Sequence, residues 1–582
     1  MAVLLTCLPL AHAGLWTGWR QVDEFELLVA ASAGGWCLAR WRQRSHGEAP
    51  PQALEFGHPA AWLLLWSWAF WGVFQGLRHL DAAVVVPWHE GWRWADHEGA
   101  AAPWRALRGS VWPVLTLWLL SPWLARARTL SCWRTAMCAG LCWVGLAVVW
   151  ERHVTVGVWD MATQYRTAGT FWDMSLGGGA IDAYLAMALP WTWWSLWLAR
   201  STASRCMWAG LVALGIYAVV TTFSRGVLVA SAVGVLWLHG LAVRPVWRQV
   251  SPHRRLMHGW ISGALTLWWL ALVVSASFAV SRLEQSTADA VGRWRHWGQQ
   301  LTLMTSTTHW VAGLGLAQVP AAYSASTGSA EMAGRARWVP PAAGLPAHLL
   351  LAGPPTRADL GGAFGLNQAV SWGSSGPDGF ALTARSNRDL TVRISRCDQW
   401  LFHPMQCESL DVNWPASLGV VTRSWEWPAS APKPPGGAAR SRVPQQVTLS
   451  VLSPGAEIRV FEVRWRQAGK TMTGRNWQFT EGLSGWWPVA TRHFVPWHSD
   501  NLFLEVGLER GVVGLIIFGG MALWALRSGA ALRWAGLHAA VGSMALLGLL
   551  ISAHEFPRVA FLLHFLLGWT LLLGSARVKG SA

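Results

Sequence analysis

The chain has 582 residues, of which 53% are hydrophobic and only 13% charged, whereas a soluble domain carries about 25% charged residues. Forty-seven tryptophans accompany a positive mean hydropathy, and Trp favours the membrane–water interface, where its ring is buried and its N–H stays wet. An ordinary soluble protein is excluded, and the net charge of +16 reads as topological charge on membrane loops rather than as a nucleic-acid surface.

Apolar runs long enough to cross a bilayer recur at 2–18, 24–41, 58–79, 108–125, 132–150, 181–199, 206–222, 226–243, 259–280, 502–526, 531–552 and 557–576. They predict a polytopic α-helical membrane protein of about twelve transmembrane helices. The stretch ending at Ala11-His12-Ala13 also fits a signal peptide, but it lacks the basic leading segment of one. With the N-terminus inside, the short inner loops and the tail hold sixteen Lys and Arg, and the outer loops hold nine. This bias puts both termini in the cytoplasm and residues 282–500 outside, which in a bacterium is the periplasm of an inner-membrane protein. The chain then divides into 1–281 (helices), 282–500 (an outer loop) and 501–582 (helices and tail).

Within the outer loop, 282–323 is a helical start bearing arginines, and 324–497 is rich in Pro, Gly, Ser and Arg. Strand-like alternation at Asp389–Ser395, Gln446–Val451 and Glu457–Trp465 predicts a small β-sandwich. Ser453-Pro454-Gly455 predicts a hairpin turn between the last two. Cys397 and Cys407 are ten residues apart and are expected to pair in an oxidising compartment. Cys7, Cys37, Cys132, Cys138, Cys142 and Cys206 lie in or beside apolar runs and read as small core residues.

Polar groups at membrane depth or at its edge are costly, so each invites a functional hypothesis. In chain order the first is Arg166-Thr167-Ala168-Gly169-Thr170-Phe171, followed by Gly177-Gly178-Gly179 and Asp182. Glycine would let backbone approach a ligand there, unless this is a plain re-entrant loop. The second, Thr221-Thr222-Phe223-Ser224-Arg225-Gly226, joins two apolar runs with almost no loop. Its Arg either snorkels to headgroups or holds a phosphate, which Arg grips bidentately. The third runs from Arg282 to Arg293-Trp294-Arg295-His296-Trp297, ahead of Gly313-Leu314-Gly315. Arg293 and Trp297 are four apart and share a helix face. The fourth is His498-Ser499-Asp500-Asn501, opening a helix that carries Glu505 and Glu509 on one face. His498 can take a proton near neutral pH. Trp486 and Trp487, close in sequence to His498, are candidates for stacking on a glycan ring. There is no H-E-x-x-H zinc motif and no phosphate-binding G-x-x-x-x-G-K-[ST] loop.

The stretches Gly169-Thr170-Phe171 to Pro190, Phe223-Ser224-Arg225-Gly226, Arg293 to Gly315 and His498 to Gly514, in this order, resemble the O-antigen ligase and O-antigen polymerase superfamily, with its Wzy-type C-terminal region. The most specific piece resembles the family's His-x-x-Asn-x-x-Leu-x-x-x-x-x-x-Gly pattern, met by His498, Asn501, Leu504 and Gly511. The resemblance covers residues 170–320 and 497–575. It implies a GT-C-like glycosyltransferase, inverting and metal-independent, with no cofactor. Its donor would be a glycan on undecaprenyl diphosphate, and its acceptor a hydroxyl of lipid A-core, of another glycan or of a protein. By the same resemblance, Arg225 and Arg293 bind diphosphate, with Arg166 beside them, and His498 is the general base. The chemistry agrees, since the acceptor needs a base and the departing diphosphate needs positive charge. Two other readings stay open: a lipid-linked glycan transporter with the same arginines as counter-ions, and a metal-dependent transferase using Asp160, Asp173, Asp182 or Asp500.

Overall fold

Helices fill both ends of the chain and strands its middle in the computed structural model. It describes residues 2–9, 24–45, 58–78, 102–124, 127–162, 165–171, 179–249, 251–276, 286–327, 334–354, 363–370, 377–400, 403–427, 445–491, 499–527 and 534–575, apart from positions 343, 473, 475, 484 and 555. The helices are α1 (Ala2–Cys7), α2 (Glu24–Ser45), α3 (Pro59–Leu77), α4 (Ala102–Leu120), α5 (Ala127–Thr155), α6 (Gly179–Leu198), α7 (Thr202–Thr221), α8 (Arg225–Gln249), α9 (Pro252–Ser275), α10 (Ser286–Leu301), α11 (Thr307–Ala312), α12 (Val319–Thr327), α13 (Leu502–Arg527), α14 (Ala535–Leu547) and α15 (Pro557–Ser575).

Among the described residues six helical stretches are long and apolar enough to cross a membrane: Pro59–Leu77, Thr129–Thr155, Thr202–Thr221, Arg255–Ser275, Leu502–Arg527 and Pro557–Gly574. Phe25–Ala39, Arg225–Gly240 and Ala535–Leu547 are shorter apolar helices. The run predicted at 2–18 is helical over Ala2–Cys7, and its residues from 10 onward lie outside the described ones. The span predicted at 531–552 ends early, because α14 stops at Leu547 and the chain turns through Gly548, Leu549 and Leu550.

The bundle is organised around α6. Every residue from Ala180 to Trp197 is buried, as expected of a helix that is apolar on all sides. α5, α7, α8 and α14 surround it. Of the cysteines read as core, Cys138 is buried against Ser195, while Cys37, Cys132 and Cys206 are exposed on their helices. An apolar run sets that a helix enters the bilayer, not which of its residues face a neighbouring helix.

The strands are β1 (Arg335–Val339), β2 (His348–Ala352), β3 (Ala363–Val370), β4 (Gly379–Arg385), β5 (Leu390–Trp400), β6 (His403–Trp414), β7 (Val421–Glu426), β8 (Gln445–Val451), β9 (Glu457–Gln467), β10 (Lys470–Met472) and β11 (Trp486–Thr491). They form two antiparallel sheets, one ordered β1-β2-β9-β4-β7 with β10 on β9, the other β11-β3-β8-β5-β6. Leu351, Leu382, Ile458 and Val463 of the first sheet share one apolar core with Leu366, Ile394, Leu449 and Trp486 of the second. The predicted hairpin of β8 and β9 does not form. β8 pairs with β3 and β5, whereas β9 pairs with β2 and β4, so Ser453-Pro454-Gly455 carries the chain from one sheet to the other. Alternation marks a strand with one buried face, and both strands have one; it does not choose the partner. Sequence-adjacent strands that do pair are β1–β2, β9–β10 and β5–β6, the last crossed by the Cys397–Cys407 disulfide.

Candidate active site

The loop that leaves α5 is held by a buried carboxylate. Glu151 accepts from the Ala168 N–H at 3.0 Å, from the Gly169 N–H at 2.7 Å and from the Tyr165 hydroxyl at 2.7 Å. Burial, and next the Glu151 charge, push the Tyr165 phenol up, so it stays a neutral donor. Thr167 N donates to Thr221 O at 3.2 Å, and Arg166 Nε donates to Thr222 O at 2.8 Å. From the other side, Arg558 Nη2 donates to Thr170 O at 2.8 Å. Arg166 is thus tied to the turn that holds Arg225.

That turn is tight because α7 ends at Thr221 and α8 begins at Arg225. Phe223 takes a left-handed φ of 50° to make it, with its ring buried. A non-glycine residue there costs about 1–3 kcal/mol, borne only where the surroundings demand it. Gly226 has no room for a side chain to spare: a Cβ there would lie 3.2 Å from Leu547 and 3.2 Å from Leu550.

Arg293 comes to the same place from a different direction. It lies on α10, where Nη1 donates to Leu550 O at 2.7 Å and Nη2 stands 3.9 Å from Asp500 Oδ2. One turn on, Trp297 Nε1 donates to Ser499 O at 2.7 Å. The four-residue spacing does put both on one face, and that face meets the segment following His498.

The support for all of this is the turn after α14. Its successive carbonyls are each occupied. Gly548 O accepts from Leu502 N at 2.7 Å, Leu549 O from Asn501 Nδ2 at 3.3 Å and Leu550 O from Arg293. Asn501 Oδ1 meanwhile caps α13, accepting from the Phe503 and Leu504 N–H groups at 3.0 Å each. A Cβ on Gly179, at the start of α6, would lie 3.4 Å from Ile551. Hence α6, α8, α10 and α13 all bear on Leu547–Ile551. Sequence reasoning missed this segment by treating it as the end of a span; the one signal was Gly548, a helix breaker inside an apolar run.

No protein-family model and no curated protein matches this chain.

The remaining predicted residues divide. His498 lies outside the described residues, though Ser499, Asp500 and Asn501 directly after it are fastened as above. Trp486 is fully buried in the sandwich core against Phe479, so its ring is not available to stack on a glycan; the Trp487 side chain lies outside the described residues. Packing between the sheets needs large apolar side chains, and sequence alone does not separate that use of Trp from sugar binding. Asp160 and Asp182 lie near the Arg166 loop and Asp500 near Arg293, and among the described residues no three His, Cys, Asp or Glu gather as a metal site. Asp173 lies outside the described residues.

Gly313-Leu314-Gly315 is structural. Leu314 N and Gly315 N donate to Leu508 O at 2.7 Å and Glu509 O at 3.1 Å, where α13 kinks at Gly511 with φ 65°. A Cβ on Gly313 would fall 2.4 Å from Glu509 backbone, and one on Gly511 2.2 Å from Val311 O. Glu509 Oε1 adds a bond from Ala317 N at 2.8 Å. The two glycines permit a backbone-to-backbone approach that seats residues 311–317 on α13. Next to it Arg510 is buried, 3.8 Å over the Trp68 ring, and donates to Ser110 Oγ at 2.5 Å.

Proposed function

We propose that this protein is a glycosyltransferase resembling the O-antigen ligases, which moves a glycan from undecaprenyl diphosphate to an acceptor hydroxyl at the periplasmic face of a bacterial inner membrane. About twelve membrane crossings, with both termini cytoplasmic, would bring the donor's diphosphate to that face. The observation that carries the reading is the shared support at Leu547–Ile551. The helix begun by Arg225, the guanidinium of Arg293 and the segment adjoining His498 all bear on it.

The chemistry follows from those groups. The acceptor oxygen attacks the anomeric carbon from the face opposite the diphosphate, and the bond from that carbon to the phosphate oxygen breaks. His498 takes the acceptor's proton. Arg225 and Arg293, with Arg166 beside them, meet the negative charge that grows on the departing lipid diphosphate. One displacement inverts the anomeric centre.

The test is transfer by the purified protein in liposomes, with a polyprenyl-diphosphate-linked glycan and an acceptor. A new glycosidic bond of inverted configuration is expected, insensitive to EDTA. Losing one preorganised contact, as in Arg225→Ala, should slow transfer about 10²–10³-fold. Movement of the lipid-linked glycan across the vesicle without any new bond would overturn the reading in favour of a transporter. In a deletion strain, loss of glycan from lipid A-core marks a ligase, and single units still attached mark a polymerase.

A further inference from the structure

Asp182 is a charged residue that the proposed chemistry does not use. It sits in the first turn of α6, only 2% exposed. The Ser224 hydroxyl lies at its carboxylate, as does that of Thr222, which itself donates to Val219 O at 2.9 Å, and the Arg166 charge is close by. Its Oδ1 has no hydrogen-bond partner among the described residues. A carboxylate in such a place is expensive, and the cost is met only by groups that hold it. Ser224 immediately precedes Arg225, and Thr222 O is the atom that receives Arg166 Nε. Three residues before Asp182, Gly179 faces Ile551 of the shared turn. Asp182 therefore lies against the turn that leads into Arg225 and within reach of the Arg166 charge.

We propose that Asp182 is a positioning residue for the diphosphate: through Ser224, Thr222 and Arg166 it holds the two guanidiniums of Arg166 and Arg225 in one arrangement. The inference rests on the function proposed above. Its negative charge also keeps the Arg166 side chain turned to the site when no diphosphate is bound, which lowers the ordering cost of binding.

The experiment uses the full-length protein in liposomes as wild type, Asp182→Asn and Asp182→Ala. It measures binding of polyprenyl diphosphate and, separately, KM and kcat for transfer. Asp182→Ala should weaken diphosphate binding and raise the donor KM by about tenfold or more, leaving the acceptor KM unchanged. Asp182→Asn keeps an oxygen that accepts from Ser224 and should recover part of the loss; it carries the test if Asp182→Ala does not fold. Diphosphate binding at wild-type strength in a folded variant overturns the assignment. So does a fall in kcat alone, which would make Asp182 a base rather than a positioning residue. If wild type binds polyprenyl diphosphate but makes no glycosidic bond, the transferase reading fails, and the binding comparison still decides the role of Asp182.

Discussion

Arginine does different work at the end of the helical bundle and in the sandwich. In the sandwich it meets carboxylates. Arg393 pairs with Asp411 through two bonds of 2.7 Å, Arg396 with Glu408, and Arg466 with Asp378 and Glu426. Charge is cancelled where it stands, on exposed strand faces for Arg393 and Arg466 and half-buried for Arg396. Around the proposed site three arginines of the bundle end on main-chain oxygens, Arg166 on Thr222, Arg293 on Leu550, and Arg558 on Thr170 and Pro9, with Arg293 also 3.9 Å from Asp500, while elsewhere in the bundle Arg108 pairs with Glu26. A carbonyl takes a hydrogen bond and leaves the positive charge in place, so a guanidinium is aimed without being neutralised by that bond. The first arrangement suits a stable surface, and the second suits a site awaiting an anion.

The sharpest way to break this contrast is to remove one arginine from each region. Arg293→Ala should cut transfer about 10²–10³-fold, and Arg466→Ala should leave the rate of the folded protein unchanged. Equal effects in a transfer assay would show that the distinction has no functional content. Next in size is the disulfide. Replacing Cys397 and Cys407 by Ser should destabilise the sandwich by about 2–4 kcal/mol, read as a lower unfolding midpoint. Transfer per folded molecule should persist, because the bond crosses the β5–β6 hairpin and touches none of the residues around Leu550.

A smaller effect is expected at the Gly511 kink of α13, where the segment after α11 packs against it. Gly511→Ala places a side chain on a left-handed backbone against Val311 O. The strain should lower stability by about 1–3 kcal/mol, visible in a melting curve, and an unchanged curve would mean that the kink relaxes freely. The smallest concerns Arg393 and Asp411. The hydrogen bonds from Arg393 hold the Asp411 carboxyl below its ordinary value. A depressed carboxyl stabilises the fold above the unfolded value of about 3.9, and that share is lost as pH falls through the folded value. Both side chains are about two-fifths exposed, so solvent screening limits the pair to roughly 0.2–1 kcal/mol. Arg393→Ala should therefore narrow the stability difference between neutral and acid solution only slightly.

Several features could be read before any fold was known. Apolar runs announced helices such as Pro59–Leu77 and Pro557–Ser575, because no other backbone form satisfies its own hydrogen bonds in lipid. Alternation announced β5, β8 and β9, and the spacing of Arg293 and Trp297 announced a common face. These are properties of single elements, set by side-chain type and backbone period.

What could not be read depends on one element meeting another. Strand alternation did not reveal that β8 and β9 belong to different sheets, since both bury one face whichever strand lies beside them. Trp486 had the composition of a sugar platform and the position of a core residue. The turn at Gly548–Leu550 is the clearest case. It binds through carbonyl oxygens, which every residue has, so no side chain marks it. Those oxygens became the support for Arg293 and Asn501 only because α14 ends where α10 and α13 arrive.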